Sequence, residues 1–411
     1  MDPIVLVVLL LVLLAAGVGG LLWHRRVKYI ATFTDRGWQF NTSPDIDSVY
    51  GLNCPPFGIG TNRKVDDQVV GTTSGGISFQ SIEYSSSSVP ERRYAMVKLP
   101  RSLPELHVTP PQAPRAGVGD AIVLDQSATH TVATTDPEHG RALLDAIGPT
   151  LGRYPTQPNL TIDHDTLVAV DAPSDAESLA VLVDAMEATA LALGASPAVH
   201  AISGPTPPPR LGLYGLPGFE FRNRDDSVLG QISHSEGGRN HRAEDIVLSD
   251  GGPLPFISCT HRWETQRTVT TRNSDGTTST RTVTDHHTEH LLEYRTGFRF
   301  LPFKVNRGLI GDRVRFEWHD FNERFTVRCA NPRFAHDVFH PRQLEYLMGT
   351  WAPPFELDQR GAIHVDVDAR SLQQALRARD FLLGFFGRVP RFVWQDLGMA
   401  EPPLELLRGD I

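Results

Sequence analysis

The sequence has few cysteines and lysines and no excess of positive charge. Only three cysteines occur in 411 residues, and no two are close in sequence. An odd, scattered set excludes a disulfide framework and a cysteine-based zinc site, and it is typical of a reducing compartment. The net charge is −9, and residues 38–203 carry nine Lys and Arg against nineteen Asp and Glu. Because no region has a basic footprint, no nucleic-acid partner is expected.

Known catalytic motifs are also lacking. The glycine-rich stretches 58–60 and 71–76 have neither the strand–loop–helix context nor the lysine of a phosphate-binding loop. No Gly-x-Ser-x-Gly elbow occurs, and Cys54 has no neighbouring base that would activate its thiol. We therefore expect a binding or scaffolding protein rather than an enzyme, with no cofactor.

A long uncharged apolar run occupies residues 4–22. At about 1.5 Å per helical residue it nearly spans a hydrocarbon core of about 30 Å, so we predict a single transmembrane helix in residues 1–24 and a juxtamembrane linker in 25–37. Asp2 is the only charged side chain before the run, whereas cations follow it. This asymmetry predicts a plasma-membrane protein with the N-terminus outside and the rest cytoplasmic. The expected membrane-contact residues are Trp23, Arg25, Arg26 and Lys28.

A cleaved signal peptide is the alternative interpretation of this segment. Small residues at Gly17 and Gly19 are compatible with a cleavage site. However, the segment before the apolar run has no Lys or Arg, and the run exceeds the 7–15 residues typical of a signal peptide. The pattern favours a retained anchor.

The rest of the chain indicates one module present twice. With an offset of 195 residues, Pro137 aligns with Pro332 and Asp163 with Asp358, and the apolar positions coincide in phase. The interpretation is a first module at 38–202, a Pro-rich linker at 203–210 and a second module at 211–411.

Local patterns predict single elements within the modules. Asp136-Pro137 and Asn331-Pro332 each combine a capping residue with a proline suited to the first helical position, so a helix is expected to begin at each. Residues 160–163 and 167–171 are expected to form two strands of a hairpin across a polar turn, with Asp163 bonding to backbone groups of that turn.

Each module has short strand-like runs followed by segregated helical runs. This order predicts an α+β fold, in which two tandem antiparallel-sheet modules are each closed by a C-terminal helix. The second module has a hairpin insertion at 262–290. Its tip, 267–284, alternates Thr and Val around an Asp-Gly turn and is polar on both faces, so it should project as an arm that could contact a protein partner.

The stretch 321–327, followed by Asn331-Pro332, a short helix and two strands, resembles uncharacterised bacterial, actinobacterial-like membrane-anchored families of unknown function. The resemblance implies an N-terminal transmembrane segment joined to a cytoplasmic module, and it brings no known active site. This chain departs from that pattern by its duplication and by His130, which stands where the second copy has Phe325.

Histidines cluster at the base of the arm. If its two strands pair, imidazoles could converge with a carboxylate on a divalent metal, which would suit a metal-assisted hydrolase. The spacing matches no zinc signature, and a solvated polar strand end explains it equally well. The candidate metal ligands are His261, His286, His287 and His290.

Two further segments suggest sites. His336 and His340 lie four residues apart and would share one helix face, but a third ligand is not evident. Residues 381–394 combine apolar side chains with Arg388 and Arg391, as a segment that contacts a lipid surface would. Packing on the sheet of its own module is the alternative for this segment.

Overall fold

The protein is described here from a computed structural model, which forms two compact units, Met1–Gly215 and Leu216–Ile411. The structure describes residues 3–111, 121–216, 218–249, 254–272, 278–308, 313–369 and 371–399, with side chains from residue 17 onward. Each unit contains an antiparallel sheet and helices, which confirms the α+β class and the antiparallel sheets.

The first helix, α1 (Pro3–Thr34), is 32 residues long and continues through most of the predicted linker. Its last turns belong to unit 1. Phe33 is fully buried there beside Trp38, and the guanidinium of Arg26 donates two hydrogen bonds to the carboxylate of Asp67, one of them 2.6 Å long. Because these contacts fix the helix end on the sheet, residues 25–34 are a helical extension rather than a loose connection.

Unit 1 is built on one long antiparallel sheet in the order β1-β2-β3-β4-β6-β5, with β7 also paired to β4. Its elements after α1 are β1 (Gln39–Asn41), β2 (Lys64–Thr72), β3 (Ser78–Ser86), β4 (Val89–Thr109), β5 (Ile122–Gln126), β6 (Thr131–Thr134), α2 (Pro137–Ile147), β7 (Leu160–Val170), α3 (Ala176–Ala195), α4 (Pro197–His200) and β8 (Leu211–Gly212).

The main core of unit 1 lies where α2 and α3 cover the sheet. Both helices begin at aspartate caps: Asp136 accepts from the backbone N–H of His139 at 3.2 Å, and Asp175 accepts from that of Ser178 at 2.8 Å. Each cap satisfies a helix N–H that has no partner inside the helix.

Among the described residues, the helix that is long and apolar enough to cross a membrane is α3. Half of it is buried, with Leu179, Val183 and Met186 packed in the core of unit 1. Its apolar character therefore has a sufficient explanation in the fold. The span predicted at residues 4–22 stays a prediction.

The region 160–171 was expected to form two strands in a hairpin, and this was wrong. It is the single strand β7, paired along β4. At its middle His164 adopts a positive φ of 55°, opposite a stretch of β4 between Lys98 and Leu106 that contains the extra residues of a bulge, so β7 continues without reversing. The neighbouring Asp163 is fully buried and accepts the backbone N–H groups of Asn53 and Cys54 at 2.9 and 2.8 Å. Asp163 therefore ties a loop to the sheet rather than making a turn.

Unit 2 has strands in the order β14-β13-β15-β16-β12-β11-β10-β9, all antiparallel. Its elements are β9 (Phe219–Arg224), β10 (Arg239–Ser249), β11 (Phe256–Arg272), β12 (Thr278–Arg295), β13 (Phe303–Arg307), α5 (His319–Arg324), β14 (Phe325–Cys329), α6 (Pro332–Val338), α7 (Pro341–Gly349), β15 (Phe355–Leu357), β16 (Ala362–Val365), α8 (Leu372–Gly387) and α9 (Arg391–Asp396).

The aromatic segment at the end of unit 2 is core rather than surface. Phe381, Phe385, Phe386 and Trp394 are buried, and the Trp394 ring lies edge-on to two phenylalanines of its own unit with centroids 4.9 Å apart. These rings pack where α8 and α9 meet the sheet, so they are not available to a lipid surface. The alternative interpretation of packing within the module describes these buried rings, whereas Phe392 in the same segment is 48 % exposed.

The arm consists of the outer parts of β11 and β12, which pair from Gln266 opposite Thr284 to Arg272 opposite Thr278. Nearly all its side chains are exposed, and the tip at 273–277 lies outside the described residues. A polar two-stranded ribbon of this kind is the projecting hairpin that the sequence predicts.

Candidate metal centre

Strand β11 places His261 at the centre of one face of the unit 2 sheet. It lies opposite Ala243 of β10 and Glu289 of β12. Because side chains alternate along a strand, Cys259, His261 and Trp263 share this face with Glu289. The imidazole is fully buried, although His261 lies only six residues from the exposed arm.

The loop 231–238, between β9 and β10, crosses this face and covers His261. Ser235 donates to the Glu289 carboxylate through its backbone N–H at 2.8 Å and its hydroxyl at 2.9 Å. The backbone N–H of Ser233 donates to Glu293, a buried carboxylate on the same strand, at 3.0 Å. His234 stands between these two attachments, so its position over the sheet is fixed from both sides.

Three imidazoles meet at this point, and we refer to His234, His241 and His261 as the histidine cluster. One ring nitrogen from each lies within 4.8 Å of one from each of the others. Nδ1 of His241 and Nε2 of His261 are 2.9 Å apart, and the ring centroids of His234 and His261 are 5.0 Å apart. His234 and His241 are half-buried, so solvent reaches one side of the cluster.

The hydrogen bonds around the cluster indicate where the ring protons lie. Nδ1 of His261 is 2.7 Å from Glu289 Oε1. Burial raises the pKa of Glu289, but hydrogen bonds from Ser235 and His261 outweigh it, so its pKa lies below the ordinary value and the group is a carboxylate at neutral pH. A neutral His261 would therefore donate through Nδ1 and keep a lone pair on Nε2. His234 Nδ1 faces the Ile232 carbonyl oxygen at 3.1 Å, which leaves its Nε2 as an acceptor too.

An aromatic stack shields the cluster on its arm side. Trp263 lies parallel to His261 with centroids 4.7 Å apart, and His287 lies parallel to Trp263 at 5.1 Å. On the other side is Cys259, whose pKa is raised to about 12 by burial and, secondarily, by the charge of Glu289. That thiol is protonated at neutral pH, so the donors of this site are nitrogen rather than sulfur.

The four histidines predicted as ligands do not converge. His286 and His290 project from the face opposite His261, because their partners across the ladder are Glu264 and Thr260. His286 is 76 % exposed, and His290 faces the hydroxyl of Thr260 at 3.1 Å. His287 shares the face of His261 but is separated from it by Trp263. Of the predicted set, only His261 is in the histidine cluster.

Sequence reasoning missed His234 and His241. Neither is close to His261 in sequence. His234 lies in the loop 231–238, and His241 lies on β10. Strand alternation could have separated His287 from His286 and His290, whereas the face of His261 depends on the register between the two strands. No pattern in the sequence indicates that the loop 231–238 folds across the sheet.

The other histidine candidates do not form a comparable site. His336 and His340 belong to different elements because α6 ends at Val338, before Pro341 begins α7. His340 faces the carbonyl oxygen of Arg388 at 3.0 Å, and His336 packs on Phe316. A second group of close donor atoms, on α5, is fully exposed and has no buried member; it consists of His319, Asp320 and Glu323.

Unit 1 contains a cavity of about 290 Å³ between its β4–β7 pair and the loop that follows β1. Its wall is mostly apolar, with His107 and Tyr94 among the lining side chains. The charged groups at its edge, Arg92 and Asp171, pair with each other at 2.9 Å. No convergent set of donors is found in the described part of this cavity, so the histidine cluster is the better-defined site.

Comparison with known proteins gives little further guidance. No family model matches the chain, and no curated protein matches it. Among solved structures, the chain is similar to the crystal structure of the mycobacterial trehalose monomycolate transport factor A, TtfA, at 10 % sequence identity. The match covers 44 % of this chain and 96 % of that one, with a TM-score of 0.34. This likeness is too distant to assign a fold family, and membership in a membrane-anchored family stays a prediction.

Proposed function

We propose that this chain is a membrane-tethered binding protein, in which α1 crosses the plasma membrane and both units lie on the cytoplasmic side. The observation that carries the proposal is an uncovered apolar surface on α1. Val18, Leu21 and Leu22 are each more than half exposed, and Trp23 is 70 % exposed. In water such a contiguous surface is unfavourable, whereas a bilayer and its interface accommodate it.

The part of α1 before about residue 26 and the part after it differ in how much of their surface the rest of unit 1 covers. Tyr29 and Phe33 pack on Phe40, and Arg26 pairs with Asp67, so the helix is held by unit 1 from about residue 26 onward. The change from uncovered to covered surface falls beside Arg25 and Lys28, at the end of the uncharged run. This coincidence supports a membrane boundary at Trp23, with the basic residues on the cytoplasmic side.

The exposed arm supports binding rather than catalysis. It is a regular ribbon whose side chains are mostly uncharged hydroxyl groups and arginines, and no described residue of its own unit covers it. An ordered ribbon without cover is suited to contact another chain. Replacing residues 267–283 with a two-residue Asn-Gly turn leaves Gln266 opposite Thr284, so it shortens the hairpin without changing its register. We expect cross-linked partners to be lost from this variant, and an unchanged partner set would argue against the arm.

Membrane fractionation tests the tether. The full chain should stay in the pellet after an alkaline carbonate wash, whereas a chain that begins at His24 should be released into the supernatant. The matched control is the variant in which a two-residue turn replaces residues 267–283, and it should stay in the pellet. Retention of the truncated chain in the carbonate pellet would refute α1 as the anchor.

Cysteine labelling tests the orientation. Cys329 is half-buried while Cys54 and Cys259 are buried, so Cys329 should take up most of the label. With a membrane-impermeant maleimide, we expect labelling of Cys329 only after lysis, and labelling of an added Asp2→Cys in intact cells. Cys329→Ser is the control for specificity. The reverse pattern would overturn the topology.

A further inference from the structure

We infer that the histidine cluster of unit 2 binds one divalent transition-metal ion of the Zn²⁺ class, with nitrogen donors from His234, His241 and His261. The fourth coordination position faces solvent on the half-buried side. This inference concerns a site that the tether does not require, so it goes beyond the proposed function and can fail independently of it.

The spacing of the donor atoms suits such an ion. Zn²⁺–nitrogen bonds of about 2.0–2.1 Å in a tetrahedral arrangement place ligand nitrogens about 3.3 Å apart. His241 Nδ1 and His261 Nε2 are already 2.9 Å apart, and all three donors fall within 4.8 Å of one another. His234 and His241 are the ligands that would have to adjust to this spacing, because His261 is fully buried and held by Glu289.

The outer partners are those that metal-binding histidines use. A histidine ligand ordinarily donates its second ring N–H to a carboxylate or a backbone carbonyl, which fixes the tautomer and orients the lone pair. His261 does so to Glu289, and His234 does so to the carbonyl of Ile232. Glu289 is held in turn by two hydrogen bonds from Ser235, so the orientation of His261 is set before any ion arrives.

Hydrogen bonding without a metal explains only part of this arrangement. Without a metal, Nδ1–H of a neutral His241 donating to Nε2 of His261 accounts for the closest pair; with a metal bound, the His241 proton would have to lie on its Nε2 so that Nδ1 is free to bind the ion. In the described part of the chain, His234 makes no hydrogen bond to either ring, yet its loop is attached at Glu289 and Glu293 so that it lies against them. His234 meets the other two rings edge-on, with centroids 5.0 Å from His261 and 6.0 Å from His241, and a third ring nitrogen within 4.8 Å of the other two is expected where all three share a ligand.

The donor set also selects the kind of ion. Imidazole nitrogen suits Zn²⁺, Cu²⁺ and Ni²⁺, whereas Ca²⁺ and Mg²⁺ require mostly oxygen ligands. The nearest carboxylate, Glu289, is occupied by His261 and Ser235. With three protein donors the site leaves one position for water, as open zinc sites do.

The test is a titration of the detergent-solubilised full chain, purified without a polyhistidine tag, with Zn²⁺ against a chromogenic chelator and with Co²⁺ followed by visible absorption. We expect one ion per chain and a Co²⁺ spectrum of low coordination number. His234→Ala and His241→Ala should each weaken binding by at least about 100-fold, which exceeds the 10–100-fold typical of losing an outer partner.

The matched control is His286→Ala, which removes an exposed histidine from the same hairpin and should leave the affinity unchanged. Both cluster variants alter half-buried side chains, and circular dichroism will show that they are folded. Absence of stoichiometric binding, or equal affinity in the wild type and in folded His241→Ala, would overturn the inference. Loss of binding in the His286→Ala control would relocate the ion to the opposite face and overturn it as well.

Discussion

The two units use the same loop-over-sheet arrangement for different chemistry. In unit 1 the loop that follows β1 brings Phe57 onto Tyr84 of β3, with ring centroids 4.8 Å apart. In unit 2 the loop that follows β9 brings His234 onto His261 of β11, with centroids 5.0 Å apart. Tyr84 and His261 each lie five residues after a buried phenylalanine, Phe79 or Phe256, that faces the helices.

Packing explains the Phe57–Tyr84 pair of unit 1 better than it explains the His234–His261 pair of unit 2. Phe57 and Tyr84 are fully buried, Tyr94 packs against Phe57, and the Tyr84 hydroxyl donates to the carbonyl of Phe57 at 3.2 Å. Two aromatic rings are therefore sufficient to attach such a loop. Imidazoles at the corresponding place in unit 2 contribute less apolar area and bring nitrogen lone pairs, which favours ligand binding over packing as their role.

The largest expected effect separates packing from ligand binding. Phe57→Ala should lower the free energy of unfolding of unit 1 by about 3–5 kcal/mol, because it removes a fully buried aromatic side chain. His234→Ala in metal-free protein should cost about 1 kcal/mol, the centre of the range for point substitutions, because the side chain is half-buried and faces one backbone carbonyl. Native-state hydrogen exchange of peptides from β3 and β11 measures both. Equal losses of unfolding free energy for Phe57→Ala and His234→Ala would mean that packing explains both pairs.

The next effect is stabilisation of one unit by metal. Zn²⁺ at 100 times its dissociation constant should add about 2.7 kcal/mol to the stability of unit 2, through binding to the native state alone. Hydrogen exchange should slow in β10, β11 and β12 and stay unchanged in β2, β3 and β4, and a chelator should reverse the change. Protection that rises equally in both units would place the ion elsewhere.

A smaller effect is expected at the partner of His261. Glu289→Gln keeps the size of the side chain but removes its charge, so it should reduce Zn²⁺ affinity by about 10–100-fold, as for other outer partners. Glu264→Gln, on the opposite face of β11, is the matched control and should not change the affinity. If both variants bind as the wild type does, Glu289 does not orient the site.

The smallest expected effect tests whether the N-terminal caps of α2 in unit 1 and α6 in unit 2 contribute equally to stability. Asp136 caps α2 in unit 1, and Asn331 caps α6 in unit 2 by accepting from the backbone N–H of Phe334 at 3.1 Å. Alanine at either position should cost about 1 kcal/mol in thermal or urea unfolding. Arg333→Ala, an exposed change in the same turn of α6, should cost much less. A loss of stability on substitution of Asp136 but not of Asn331 would show that the two caps are not equivalent.

The sequence predicts those features that depend on local chemistry. The cap-proline pairs at Asp136 and Asn331 mark helix starts correctly, because capping involves only neighbouring residues. The polar arm is predicted from strand alternation around a turn. The continuous strand β7 was missed, because the burial of Asp163 depends on Asn53 and Cys54, more than a hundred residues away.

The candidate site was predicted only in part for the same reason. His261 was identified because of the histidines near the other end of the same hairpin. Its partners in the histidine cluster come instead from the loop 231–238 and from β10. Strand register decides that Glu289 rather than His290 faces His261, and a shift of one residue would exchange them. Such a register depends on the whole sheet.

The ion pair between Arg26 of α1 and Asp67 of β2 has a consequence for the proposed membrane tether. A domain joined to a membrane by a flexible segment can turn and sample a wide volume. Here the anchoring helix runs without a break into the sheet of unit 1. Unit 1 would then stand at a set height and tilt above the bilayer, and only those of its surfaces that face sideways or away from the lipid would be open to another molecule.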